Sequence, residues 1–338
     1  LPLVVASGLL IAIGNLMGGE NVTELSKMTL PSALTTLGVM GMGLLPSFIA
    51  GYIAYSIADR PGIAPGFLMG QIASFLGGMV GGYLVGYIAL FIKNNLKVPK
   101  WAEALMPMMI VPTLSAIIAG LIMFFVVGTP ITMATKALTN FITGLDQSSK
   151  AVYGFIIGAL GCIDFGGPIS KVPNLICDGL LLEGITGPEA IKVLAAMVPP
   201  LGITFSLVLS KLLKKNIYTA QEKENIKVAF PMGLCMISEG VIPIAMNDII
   251  RTVICTATGC GVTGAISFSL DVGSKVPSGG VFVIPAMSNP LAALIALLAG
   301  TAVTGVLLVL IKKKKTEEDE PMIDEKEEDL DLSGFTIS

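Results

Sequence analysis

The chain has 338 residues, of which 53% are hydrophobic and only 13% charged, with a net charge of −3 and a mean hydropathy of +0.83. So few charges cannot coat a soluble body of this size. Histidine is absent altogether, which excludes a histidine base, a His-ligated metal or a phosphohistidine within this stretch. The G-x-x-x-x-G-K-[ST] phosphate loop and the C-x-x-C spacing are both missing, so no cofactor, metal or nucleic-acid partner is expected.

The chain opens as Leu1-Pro-Leu-Val-Val, already apolar and without an initiator Met, which predicts a start further upstream. Charge-free runs follow at Leu30–Ala58, Phe67–Ile92, Ile110–Val127, Val193–Ser210, Thr252–Leu270 and Gly280–Ile311. Each reaches or approaches the ~20 residues of a spanning helix, and none alternates as a barrel strand does. The expectation is an all-α polytopic membrane protein with about eight to ten crossings, some of them broken. Arg60 lies in a short turn between two runs, where pairing with Asp59 is its simplest role. In residues 1–128 the glycines Gly77, Gly78, Gly81, Gly82 and Gly86 set small-xxx-small spacings, suited equally to packing within the chain and to a homodimer contact. Residues 129–150 read as a connecting segment. Within it Pro130 starts an amphipathic helix, with Ile131, Ala134, Leu138, Phe141 and Leu145 on one stripe and Lys136 opposite, too polar to span and suited to the membrane interface.

Residues 151–311 hold three polar breaks in apolar surroundings. The first is Cys162–Asn174, where Asp164 precedes Gly166, Gly167 and Pro168, with Ser170, Lys171 and Asn174 just after. A carboxylate, an ammonium, an amide and open backbone in one turn suit a hydroxyl-rich ligand; a local Asp164–Lys171 pair is the plainer alternative. The second is Ile237–Pro243, containing Ser238 and Glu239, continuing to Asn247, Asp248 and Arg251. A charge at mid-membrane costs about 3 kcal/mol, so a retained carboxylate such as Glu239 is a functional candidate. The third is Val276–Pro285, with Ser278, Gly279 and Gly280. Irregular backbone at membrane depth survives only where protein buries it or a cavity borders it, as in transporters with re-entrant hairpins. The five cysteines are expected as free buried thiols.

Lys211, Lys214, Lys215, Lys223 and Lys227 mark a cytoplasmic loop, and Lys312–Lys315 a cytoplasmic stop. Residues 312–338 form a lysine cluster and an acidic tail. From Thr316 to Ser338 there are ten acids and only Lys326, so this tail is −9 and the preceding body +6. Its composition predicts a disordered, solvated cytoplasmic end in preference to a docking segment.

Five motifs in order, Leu44–Gly66, Asp164–Lys171, Met197–Pro200, Ile237–Pro243 and Val276–Val283, resemble the fructose-family permeases of the phosphotransferase system, the membrane EIIC component, from about Leu1 to Ile311. The resemblance implies a glucose-superfamily-like elevator fold: a dimer with an N-terminal scaffold and a moving C-terminal half bearing two re-entrant hairpins. It implies a bacterial cytoplasmic-membrane permease that binds a hexose, fructose or a fructose- or mannosyl-like sugar, for phosphorylation by a phosphocysteine EIIB partner, with EIIA and HPr upstream. The chain would then be the membrane subunit of a sugar phosphotransferase, with no phosphorylated residue in this stretch. Two departures stand out: Ser278 occupies the place of the family's usual histidine, and Ser170-Lys171-Val-Pro-Asn174 replaces Asn-Lys-Ala-Ala-Tyr. An ion-coupled symporter would share the broken helices and a buried Glu239 but leave its solute unmodified, and a channel would leave the three breaks unexplained.

Overall fold

The computed structural model describes residues 2–72 and 74–313; Lys314, Lys315 and the acidic tail lie outside the described residues. Among the described residues the structure is helical throughout, without strands. Helices α1 (Pro2–Leu16), α2 (Leu30–Gly43), α3 (Leu45–Ala58), α4 (Arg60–Met69) and α5 (Ser74–Asn95) build the first half. The charge-free run Leu30–Ala58 is two helices, because Pro46 enters at the first turn of α3 and starts it anew after Leu44. Thr29 caps α2 by accepting from Ser32 N at 3.3 Å. Asp59, in a left-handed conformation between α3 and α4 (φ 61°), pairs with Lys93 at 2.7 Å rather than with Arg60.

The glycine ladder of α5 is consumed inside the chain. An ideal Cβ on Gly82 would lie 2.8 Å from the Ala50 backbone, and one on Gly86 would lie 3.1 Å from Ala54 Cα. These glycines let α5 approach α3, so the ladder serves contacts within the chain.

From Lys100 to Thr143 the chain is continuously helical: a 3₁₀ turn, a π-turn at Met106–Ile110, α6 (Val111–Ile122), a π-turn at Met123–Val127 and α7 (Gly128–Thr143). Its 44 residues would measure ~66 Å at 1.5 Å per residue, about twice the hydrocarbon thickness. The buried positions of α7 are Thr135 and Ile142, with Ile131, Leu138 and Leu145 partly covered. Ala134 and Phe141 face outward, because the helix turns slightly past the expected stripe.

Helices α8 (Gln147–Leu160), α9 (Pro168–Leu182), α10 (Gly187–Leu212), α11 (Ala220–Leu234), α12 (Ile242–Ala245), α13 (Ile249–Ser269) and α14 (Pro290–Ile311) form the second half. Helix α10 is its axis, buried almost without interruption from Pro188 to Ile203. Around it the helices touch through backbone. A Cβ on Gly154 of α8 would strike the Gly264 carbonyl of α13, and one on Gly300 of α14 would strike the Gly259 carbonyl. Thr263 Oγ1 donates across the helices to Ala296 O at 3.1 Å. Close approach by small residues with interhelical hydroxyl bonds is how apolar helices associate where lipid is the solvent.

Among the described residues six helical stretches, Leu30–Ala58, Phe75–Asn95, Lys100–Thr143, Gly187–Leu212, Glu239–Ser269 and Pro290–Ile311, are long and apolar enough to cross a bilayer, which makes this a multi-pass membrane protein. The halves share one apolar core, where Ile11, Met42, Leu45 and Phe75 meet Val193, Met197, Val276 and Ala293.

Candidate functional site

The three breaks meet. The first is the turn between α8 and α9, where Phe165 (φ 52°) and Gly166 (φ 96°) are both left-handed. The second follows α11, with Met236 left-handed (φ 67°), Ser238 buried and Glu239 opening a 3₁₀ turn to Val241. The third precedes α14, with Gly279 (φ 129°) and Gly280 (φ 62°) in conformations that only glycine holds cheaply.

Gly166 faces Glu239: an ideal Cβ there would stand 2.7 Å from Glu239 Oε1. Phe165 packs in the same cluster as Val241 and Ile244, binding the first break to the second. Gly280 presses on the other side of the second break, with a virtual Cβ 2.8 Å from Met236 N and closer still to the Leu234 carbonyl. Helix α1 closes the third break from outside, its Gly8 3.2 Å (as a virtual Cβ) from Ser278 O. Glu239 therefore sits at the middle of three irregular segments, and strained non-glycine backbone occurs in two of them, as is common at functional sites. Its side chain is exposed rather than buried.

Asp164 acts differently from expectation. Its carboxylate accepts from Ile169 N at 2.7 Å and Ser170 N at 3.1 Å, and the Ser170 hydroxyl donates to it as well. It thus caps the first turn of α9, a favourable place for a negative charge at a helix N-terminus. No pair with Lys171 forms; among the described residues Lys171 is exposed and bound to no carboxylate. Ser170 is fully buried by its bond to Asp164, so its hydroxyl is closed to a ligand. Pro168 is exposed at the start of α9, while Gly167 lies over the Asp164 carboxylate, its virtual Cβ 2.6 Å from Oδ2. Asn174 shares a helix face with Lys171 and turns its amide oxygen toward Gly161. Asn247 is exposed in a separate 3₁₀ turn, where Asp248 pairs with Arg251 at 3.2 Å.

Two buried groupings of charge were not expected from the sequence. Lys192 of α10 contacts Glu189 at 2.5 Å and also Asp178 of α9, and all three side chains are at most 12% exposed. The Glu189–Lys192 spacing of three on one helix was the available signal. At the end of α14, Lys312 turns inward. It pairs with Glu222 at 2.9 Å and lies 3.9 Å over the Tyr218 ring. Glu222 also completes a capping box with Thr219. Burial holds the Tyr218 phenol well above its usual value, so it stays protonated beside Ser206 Oγ at 2.6 Å. All five cysteines are free; Cys162, Cys177, Cys255 and Cys260 are buried, and Cys235, just before the second break and against Gly280, is exposed.

No protein-family profile matches the chain, and no solved structure does. Among curated proteins it is 42% identical over 326 residues to the PTS system fructose-specific EIIB'BC component of Haemophilus influenzae, covering 94% of this chain and 58% of that one. It therefore spans little more than half of that relative's length. It is 34% identical to the PTS system fructose-specific EIIC component of Haloferax volcanii, covering 92% and 89% of the two chains. It is 32% identical to Fructose-like permease IIC component 2 of Escherichia coli, covering 98% and 92%. With near end-to-end coverage of two EIIC components, and a multi-pass helical body to match, the chain belongs to the fructose-family EIIC membrane components of the phosphotransferase system.

Proposed function

We propose that the chain is the permease of a sugar phosphotransferase, binding a fructose-like hexose at the junction of the three breaks and releasing it inward as a phosphate ester. The observation that carries this reading is Gly166 set against Glu239. A residue without a side chain leaves the carboxylate open to a ligand that lies against bare backbone. An ionised carboxylate is an acceptor only, with about four lone-pair sites, and suits the vicinal hydroxyls of a sugar. Its charge-assisted bonds are roughly twice as strong as neutral ones. In this arrangement Asp164, Gly167 and Ser170 hold the turn in shape, and Lys171 and Asn174 form the approach on α9. Ser278, Gly279 and Gly280 set the second break from behind.

Relatives named as fused EIIB'BC components support an EIIB phosphocarrier as the partner. EIIA and HPr would stand upstream of it, and the lysine-bearing ends of α10 and α11 would face the cytoplasm. A symporter with the same site would release free sugar, and the family relationship disfavours it. We further read residues from about 151 to 311 as the moving body of an elevator, with re-entrant hairpins at the second and third breaks. The backbone-tight packing of α8, α10, α13 and α14 supports motion as one unit. The homodimer now rests on the resemblance alone, since the glycine ladder is used within the chain.

The test is the chemical form of sugar accumulated by vesicles containing the chain and an EIIB donor. Phosphate ester is expected; free sugar would overturn the proposal. Glu239→Gln, which weakens bonds of about 1.5–3 kcal/mol, should reduce sugar affinity roughly 10- to 100-fold. Wild-type binding and phosphorylation by both Glu239→Gln and Glu239→Ala would remove Glu239 from the site.

A further inference from the structure

The loop that joins α10 to α11 frames a cleft of about 290 Å³ lined by Lys211, Lys214, Lys215 and Lys223, with Asn216 and Tyr218. Among the described residues none of these four ammonium groups meets a carboxylate. Lys223 donates to the Asn216 amide oxygen at 3.1 Å and Lys215 to the Val309 carbonyl at 3.4 Å. The neighbouring acids are already engaged, Glu222 with Lys312 and Glu224 with Lys227. Four like charges around one cleft repel one another, and such an arrangement calls for an anion from elsewhere.

The same cleft is where α14 ends. Lys215 reaches Val309 of α14, and Lys312 is fixed over the ring of Tyr218, itself part of the cleft wall. The chain leaves this point at Lys313 and four residues later becomes acidic, with Glu317, Glu318, Asp319 and Glu320 in succession. Four extended residues span at most ~14 Å, a length that allows Glu317 to reach the cleft from Lys313. We propose that the acidic segment 317–331 of this chain docks in the lysine cleft, neutralising it and covering the loop between α10 and α11. The segment supplies ten acids against one lysine, which matches the unpaired charge of the cleft in sign and exceeds it in number. This proposal does not depend on the sugar reading of the Glu239 site.

The test uses the full chain in nanodiscs of zwitterionic lipid, treated with a zero-length carbodiimide and mapped by mass spectrometry. Expected are links from Lys211, Lys214, Lys215 or Lys223 to acids between Glu317 and Asp331, lost at about 1 M salt, where screening acts beyond roughly 3 Å. The exposed Lys227–Glu224 pair, 2.6 Å apart, is the internal control for the chemistry. Removing the residues after Lys315 should raise acetylation of Lys211 and Lys214 several-fold. Docking within one chain is overturned if the control link forms and no cleft link does. It is equally overturned if links occur only between isotopically distinct copies. If lysine protection survives tail removal and instead follows added anionic lipid, a headgroup is the occupant and the proposal fails.

Discussion

Removing the ammonium of Lys192 should destabilise the second half more than any other single charge change in the protein. Lys192 is 5% exposed and lies between Glu189, fully buried, and Asp178, 12% exposed. Glu189 Oε2 receives no hydrogen bond among the described residues, so Lys192 supplies most of what keeps that carboxylate tolerable. A unit-charge pair about 4 Å apart at an effective dielectric of ~20 is worth roughly 4 kcal/mol, and Lys192 serves two of them. Desolvation offsets much of this in the intact triad, but Lys192→Met leaves two carboxylates with no counter-charge. Breaking a buried pair in this way costs about 3–5 kcal/mol. At roughly 2–4 °C per kcal/mol, the midpoint should fall by on the order of 10 °C, read as the loss of monodisperse protein after heating in detergent. The variant with Asp178→Leu, Glu189→Leu and Lys192→Met together should return to within about 1 kcal/mol of wild type, because apolar groups of similar volume replace a buried triad at little cost. A Lys192→Met protein that melts with wild type refutes the reasoning. So does a triple variant as unstable as the single one.

Gly264→Val should disrupt the α8–α13 contact, where even a Cβ meets the Gly154 carbonyl; loss of folded protein by several kcal/mol is expected, and normal thermal stability would refute the contact. Gly166→Ala combines strain at φ 96° with a methyl 2.7 Å from Glu239 Oε1, so sugar binding should drop sharply while the detergent-purified protein stays monodisperse; unchanged affinity would place the ligand elsewhere. Asp164→Ala should cost about 1 kcal/mol of stability as a lost helix cap and weaken binding less than Glu239→Ala does; the reverse order, measured by titration, would make Asp164 a direct ligand contact.

The apolar runs made the spanning helices legible, because a bilayer imposes length and composition on each crossing. The positions of the three breaks were legible for the same reason, since the clustered glycine and proline of Gly166-Gly167-Pro168, Gly240 with Pro243, and Gly279-Gly280 weaken a helix amid apolar residues. That the breaks converge was not legible. It depends on Phe165 reaching Val241 and on Gly280 touching Leu234, contacts across more than forty residues with no local signature. Pairings of charges failed for a similar reason: Asp59 chose Lys93 over adjacent Arg60, and Asp164 chose backbone amides over Lys171. Neighbours in sequence compete with partners that only the fold supplies. The glycines of α5 announced a close helix contact correctly in kind, but spacing says nothing of whether the partner is α3 or another subunit.

Cys235 has a practical bearing on how this protein can be studied. Four of its five thiols are sealed in the core, and the fifth lies where Gly280 presses on the segment leading to Glu239. The unaltered chain therefore brings its own reporter. A maleimide should modify one residue per chain, at the seam of the proposed sugar site, without first replacing the other four cysteines. A bound ligand or a shift of α14 against α11 would register as a change in alkylation rate. Oxidants that reach the seam would act on the same atom, so reductant in the buffer is a variable of the transport assay itself.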